Sequence, residues 1–175
     1  MRVNQVSMHA ADNASRIGEG SLLTQKTIYE ADINDLFIGA DLQAGRYVDI
    51  FENGRIILSS LEKHSDGDQY IHWQRCKGKK AHVSSYGTEG EYASDRPVNG
   101  MGPASARVTA PADGAVIFVE VAYDYKPLIS STFTSTRTIT TRSAFNVRDR
   151  RDLTQIYDKT GSDPVADCDT YDGIS

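Results

Sequence analysis

Four histidines, two cysteines and a set of C-terminal carboxylates are the side chains here best suited to chemistry. His72, Cys76 and His82 lie close enough along the chain to be weighed as zinc ligands, because imidazole nitrogen and thiolate sulfur are donors zinc favours. Their spacing fits no zinc framework and leaves a fourth ligand unassigned. His9 and His64 stand apart, and a structural or exposed role is the better reading of all four. Asp163, Asp167, Asp169 and Asp172 offer the hard oxygens calcium accepts, but not in the order of an EF-hand loop. A solvated acidic tail accounts for them more simply. Glu52 and Glu120 could act as general acids only inside a perturbing pocket. Gly100-Met101-Gly102-Pro103 lacks the third glycine and the strand-to-helix setting of a dinucleotide loop. There is no G-x-S-x-G elbow and no Walker A lysine. Arg75, Lys77, Lys79 and Lys80 form a small basic patch that reads as a solvated turn. These residues assign no catalytic group, no cofactor and no metal, and the weight shifts from enzyme to structural component.

Cys76 and Cys168 are far apart and form no C-x-x-C pair. In a reducing compartment they would be two small buried side chains. In an exported domain they would be a disulfide closing a long loop, worth about 4–5 kcal/mol on the chain-entropy view. No signal peptide is visible, so other residues must decide between the two.

The elements that would position these groups follow from periodicity. Val3, Val6, Ala10, Ala14 and Ile17 recur at steps of three and four, a single apolar stripe on a helix over about 3–17. Gly18 and Gly20 end it. The stripe needs a partner surface: either its own domain, the commoner case, or neighbouring helices if it continues an upstream helix. A second helix is expected over about 27–44, capped by Thr24 or Thr27 and closed by Gly45. Val48 to Leu61 reads as a hairpin turning at Asn53-Gly54, the dipeptide that best tolerates positive φ at both turn positions. Gln69–Cys76 alternates as a strand, with Tyr70, His72, Gln74 and Cys76 on one face and Ile71, Trp73 and Arg75 on the other. Lys77–Gly114, rich in Gly and Pro, is expected to be a long irregular loop. Ala115–Tyr125 is apolar on both faces in its first half and so central in a sheet, ending at Pro127. Residues 130–143 carry ten Ser/Thr in fourteen positions, with Thr134, Thr136, Thr138 and Thr140 alternating, and predict a strand continuing to Val147. Helices first and antiparallel strands after them define an α+β fold, with the sheet spanning about 47–147 and an acidic tail over 158–175.

The 175 residues suit one domain, 1–175. A net charge of −5 argues against general nucleic-acid binding. Charged residues at 25% beside 39% hydrophobic ones argue against global disorder. No apolar run approaches the ~20 residues of a membrane span.

Several strings resemble the ectodomain of TadE/TadG-like pilus assembly proteins. They are Asn53-Gly54-Arg55-Ile56-Ile57-Leu58-Ser59-Ser60-Leu61-Glu62, Trp73-Gln74-Arg75-Cys76-Lys77-Gly78, and Ser84-Ser85-Tyr86-Gly87. Val121-Ala122-Tyr123-Asp124-Tyr125-Lys126-Pro127-Leu128 and Phe145 to Tyr157 complete the likeness, which runs from the first helix to Tyr157. The resemblance implies a pilin-like head, from a minor pilin or pseudopilin of the tight-adherence (Flp) type IV pilus, lying in the periplasm. It implies an inner-membrane anchor through an apolar N-terminal helix, cut by a prepilin peptidase; neither that helix nor the Gly-Glu processing site is in this sequence. It makes Val3, Val6, Ala10, Ala14 and Ile17 the distal part of a longer helix and an assembly face. It also makes a Cys76–Cys168 bridge sensible, because the periplasm is oxidising. The partners implied are other pilus subunits and the assembly machinery, without nucleic acid or small-molecule substrate. The alternative expectation is a secreted adhesin or ligand-binding module presenting Trp73, Tyr86, Tyr92 and the Ser/Thr-rich strand. A metal-dependent hydrolase built on His72, His82 and the acidic tail ranks below both.

Overall fold

A computed structural model describes residues 2–20, 24–91, 99–125 and 137–173. Among them, three helices and four strands run in the order α1 (Arg2–Ala14), α2 (Glu30–Ala44), α3 (Ile50–Asn53), β1 (Gly54–Lys63), β2 (Gln69–Lys77), β3 (Val116–Tyr125) and β4 (Arg137–Asn146). The strands form one antiparallel sheet in the order β2-β1-β3-β4. The fold is α+β, as helices followed by strands require. Thr134, Thr136, Pro127 and Tyr92 fall outside the described residues.

Both faces of the sheet are covered. On one, α1 lies against β3, β4 and α2. Its stripe of Val3, Val6, Ala10 and Ala14 joins Ile33, Phe37, Ile56, Leu58, Val119 and Val121 in the main core, with Ile17 packed at its margin. On the other face, Met101 and Ala110 cover Leu61, Ile71, Val116 and Phe118, with Tyr86 and Val108 beside them. Between β2 and β3 the described residues hold only a 3₁₀ turn at Ala104–Ala106 and the isolated bridge Met101↔Val108.

The stripe packs inside its own domain, the commoner of its two readings. Val3, Val6, Ala10 and Ala14 are buried against the sheet and the second helix, while Met8 on the same helix is exposed. α1 also stops at Ala14 rather than Ile17. There the buried Arg151 guanidinium donates to Ala14 O at 3.3 Å and Ile17 O at 2.8 Å, capping the orphan carbonyls of the helix end. Burial pulls Arg151 down to about 10, against the pull of Asp149, Glu62 and Asp32, so it remains charged at neutral pH.

α2 begins three residues later than its pattern suggests. Lys26 and Tyr29 form parallel bridges to Arg151 and Tyr157, so Thr27–Tyr29 are extended. Asp32 then accepts the Tyr29 N–H at 3.0 Å.

The expected hairpin at Asn53-Gly54 does not form, and the sheet starts at Gly54. Both edges of β1 are already occupied, by β2 and β3. Ile50 and Phe51 instead make one helical turn and bury in the core, Phe51 meeting Phe37 edge-on with ring centroids 6.1 Å apart. Packing outweighs the local turn preference. Gly54 is needed for a different reason: a Cβ there would lie 2.7 Å from both Ala122 O and Ile50 O.

β2 carries a further correction. Ser60 pairs with Trp73 but Leu61 pairs with Ile71, so His72 is an extra residue in β2. That bulge flips the alternation. Trp73 enters the helix-side core and Ile71 the opposite one, although the pattern placed them on one face.

Candidate functional site

The residues singled out for chemistry have local structural partners. Cys76 is bonded to Cys168, which removes its sulfur from the zinc set. His72, on the bulge, meets the buried Glu62 at 2.9 Å. That hydrogen bond raises its pKa above 6.5 against the effect of burial. His82 is pushed the other way by burial and by Lys80, Arg55 and Arg142, cationic surroundings hostile to a metal ion. Among the described residues no group of three or more His, Cys, Asp or Glu could hold a metal. The described residues do not gather His72, His82 and the tail carboxylates into one metal-binding group.

The acidic tail and the basic patch largely satisfy each other or nearby groups. Asp163 accepts from Lys159 N and Thr160 Oγ1, and Asp167 from Asp169 N. Asp172 pairs with Lys77 at 2.9 Å. Lys79 pairs with Glu52, and Lys80 with Asp124 at 2.7 Å. Arg75 donates to Glu30 at 2.6 Å and to Glu89 at 2.8 Å. The basic patch is thus paired within the fold. Trp73 is buried, and the half-buried Tyr86 packs edge-on to Phe118 beneath the Arg142 guanidinium.

What the fold does assemble is a strap. Residues 165–172 run along the outer edge of β2, and the disulfide is only one of its fastenings. Cys76 N–H donates to Ala166 O and Gly78 N–H to Asp172 O, both at 2.8 Å. Beneath lies Arg55, 1% exposed. Its guanidinium donates to Gly78 O at 2.9 Å, Thr170 O at 2.8 Å and Cys168 O at 2.6 Å. The Tyr171 ring stacks on it with 4.1 Å to the centroid. Burial lowers the Arg55 pKa, while Tyr171, Asp172 and Asp169 oppose the shift. Gly78 is obligatory here: its φ is +124°, and a Cβ would stand 2.3 Å from Gly54 O. A 440 Å³ cleft flanks the bridge, with Arg75, Glu89 and Asp167 among its walls.

A second polar centre sits on the opposite face of the sheet from the helices. Glu120 is completely buried in mid-β3 and accepts Ser84 Oγ at 2.5 Å and Ser85 N–H at 3.3 Å. It clamps the segment after β2 onto the sheet. Burial raises its pKa above 4.5, against Ser84, Ser85 and Arg142. The folded state therefore holds this proton more tightly than the unfolded chain, so stability falls as pH rises from the unfolded value through the folded one. Glu120→Gln keeps the shape and removes the charge. Its stability relative to wild type should climb as pH rises above about 4, read by urea unfolding over a pH series. A flat difference would show that the serines and Arg142 cancel the effect of burial.

Sequence reasoning named Glu120 only as a conditional general acid and missed Arg55 altogether. Glu120 had a signal, a lone carboxylate inside an otherwise apolar strand; Arg55 had none beyond its place at the start of one.

Comparison with known proteins adds no relative: no family model, curated protein or solved structure matches the chain. No helix among the described residues is long and apolar enough to cross a membrane.

Proposed function

We propose that this chain is the envelope-side head of a pilus-assembly subunit, a minor pilin or pseudopilin of the tight-adherence type. It acts by contact with other subunits and with the assembly machinery, not by turnover. The observation that carries the reading is the Cys76–Cys168 bridge, which suits a protein matured in an oxidising compartment such as the periplasm. The helix-on-sheet arrangement and the TadE/TadG-like strings of β1, β2 and β3 support it.

In this reading an apolar anchor helix joins the head to the inner membrane, and assembly contacts use surfaces other than the buried stripe of α1. Deleting the gene in its host should abolish surface pili, counted by electron microscopy, and a plasmid copy should restore them. A deletion strain with normal pili would overturn the proposal.

A further inference from the structure

The two edges of the sheet are finished differently. In the second half of β2 and just past its end, N–H groups that point away from β1 have partners: Gln74 N–H donates to Glu89 Oε2, Cys76 N–H to Ala166 O and Gly78 N–H to Asp172 O. Ile71 O accepts from Gly90 N–H. This edge is closed by the strap and by the segment around Glu89.

The β4 edge has no such cover among the described residues. β4 pairs with β3 over ten consecutive positions without a bulge. Just beyond the pairing, Val147 N–H donates to Ala115 O at 2.9 Å. Antiparallel hydrogen bonding alternates, so the odd-numbered residues of β4 bond to β3. Thr138, Thr140, Arg142 and Ala144 then direct their N–H and C=O groups outward. No backbone bond from these outward groups to any other segment occurs among the described residues. The side chains of Thr138, Thr140 and Arg142 are exposed as well. A long, straight, β-branched edge with no Pro or Lys is a template for another strand.

We infer that the β4 edge pairs with the β4 edge of a second copy of this chain, antiparallel about a two-fold axis through Thr140. The register follows from three constraints. Opposed residues in an antiparallel pair share a face, so a two-fold must centre on a residue and not between two. Centring on Arg142 would set two guanidinium groups opposite each other, which is repulsive. Centring on Thr140 sets Thr140 against Thr140, Ile139 against Thr141 and Arg137 against Ser143, combinations that suit a sheet surface. It also sets Arg142 against the partner copy's Thr138, whose hydroxyl donates to Asp124 at 2.6 Å. Each guanidinium thereby comes near the partner copy's Asp124, which it shares with Lys80, and β4 itself contains no acid. The product is a continuous eight-stranded sheet with all helices on one face. A contact of two strands is small, so the association is of the weak, concentration-dependent class. It stands on the geometry of this edge and not on the pilus reading.

Sedimentation equilibrium of the intact chain over a wide concentration range tests it. A monomer–dimer equilibrium is expected. Thr140→Pro removes an N–H that faces outward and no bond to β3, so it should leave the far-UV spectrum and melting temperature near wild type while abolishing the dimer. Should that variant fail to fold, Thr140→Lys serves in its place: it opposes two ammonium groups at the axis and should weaken the dimer at least tenfold, less so in high salt. Thr140→Cys should form a disulfide-linked dimer on mild oxidation. A chain monomeric at its highest soluble concentration would overturn the inference. So would a dimer indifferent to both Thr140→Pro and Thr140→Lys.

Discussion

Arg55→Met should lower the free energy of unfolding by about 3–5 kcal/mol, the cost of breaking a buried charged network from one side. The side chain is buried, and its guanidinium bonds three backbone carbonyls on two segments far apart in sequence. Methionine matches the length and apolar bulk but supplies no donor. Gly78 O would be left in the interior without its guanidinium donor, while Thr170 O and Cys168 O could regain water only if the strap lifts. The substitution should therefore act locally as well as globally. Hydrogen exchange at Cys76 and Gly78, whose N–H groups face the strap, should accelerate well before global unfolding. Arg55→Lys should recover less than half the loss, because an ammonium cannot reproduce the planar fork. An Arg55→Met protein with wild-type stability and unchanged exchange would show that the bridge and the backbone bonds hold the strap without the guanidinium.

Removing the bridge with Cys76→Ala and Cys168→Ala together should cost about 4–5 kcal/mol on the chain-entropy model. The two cysteines are separated by 92 positions, so the reduced unfolded chain regains much of the freedom the bridge denies it. For a chain of this size that loss corresponds to a fall of about 10–15 °C in melting temperature, measurable by calorimetry with and without reductant. The two effects should not add. Arg55 and the bridge fasten the same strap, so once one is gone the other has less to hold, and the triple variant should lose less than the sum. Strict additivity would mean that the guanidinium and the bridge stabilise separate parts of the molecule.

Much of the fold was legible because burial and periodicity agree in it. The two-sided apolar run of β3 reads as a central strand, and β3 lies between β1 and β4. The stripe of Val3, Val6, Ala10 and Ala14 reads as one helix face, and that face is buried. The errors arose where a tertiary contact outranked a local preference. Asn53-Gly54 is a strong turn signal, but Phe51 packs on Phe37 and both edges of β1 are taken. Alternation through β2 is regular in sequence, but one extra residue at His72 moves Ile71 and Trp73 to opposite faces. Of the strap, the acidic tail and the expected Cys76–Cys168 bridge were visible, but not its backbone bonds to the β2 edge or the arginine beneath it. Nothing local in Gly54-Arg55-Ile56 announces that this arginine turns inward, because two of its three acceptors, at Cys168 and Thr170, lie more than a hundred positions away.

The unequal finish of the sheet has a consequence for how far any strand-to-strand growth can go. A subunit with two bare margins could recruit a neighbour on each and propagate into a fibre. Here the C-terminal segment, under a covalent lock, covers one margin at Cys76 and Gly78 with Glu89 and Gly90 beside it, so growth of the inferred kind would end at a pair. The same cysteine that stiffens the chain thereby acts as a chain terminator against runaway polymerisation.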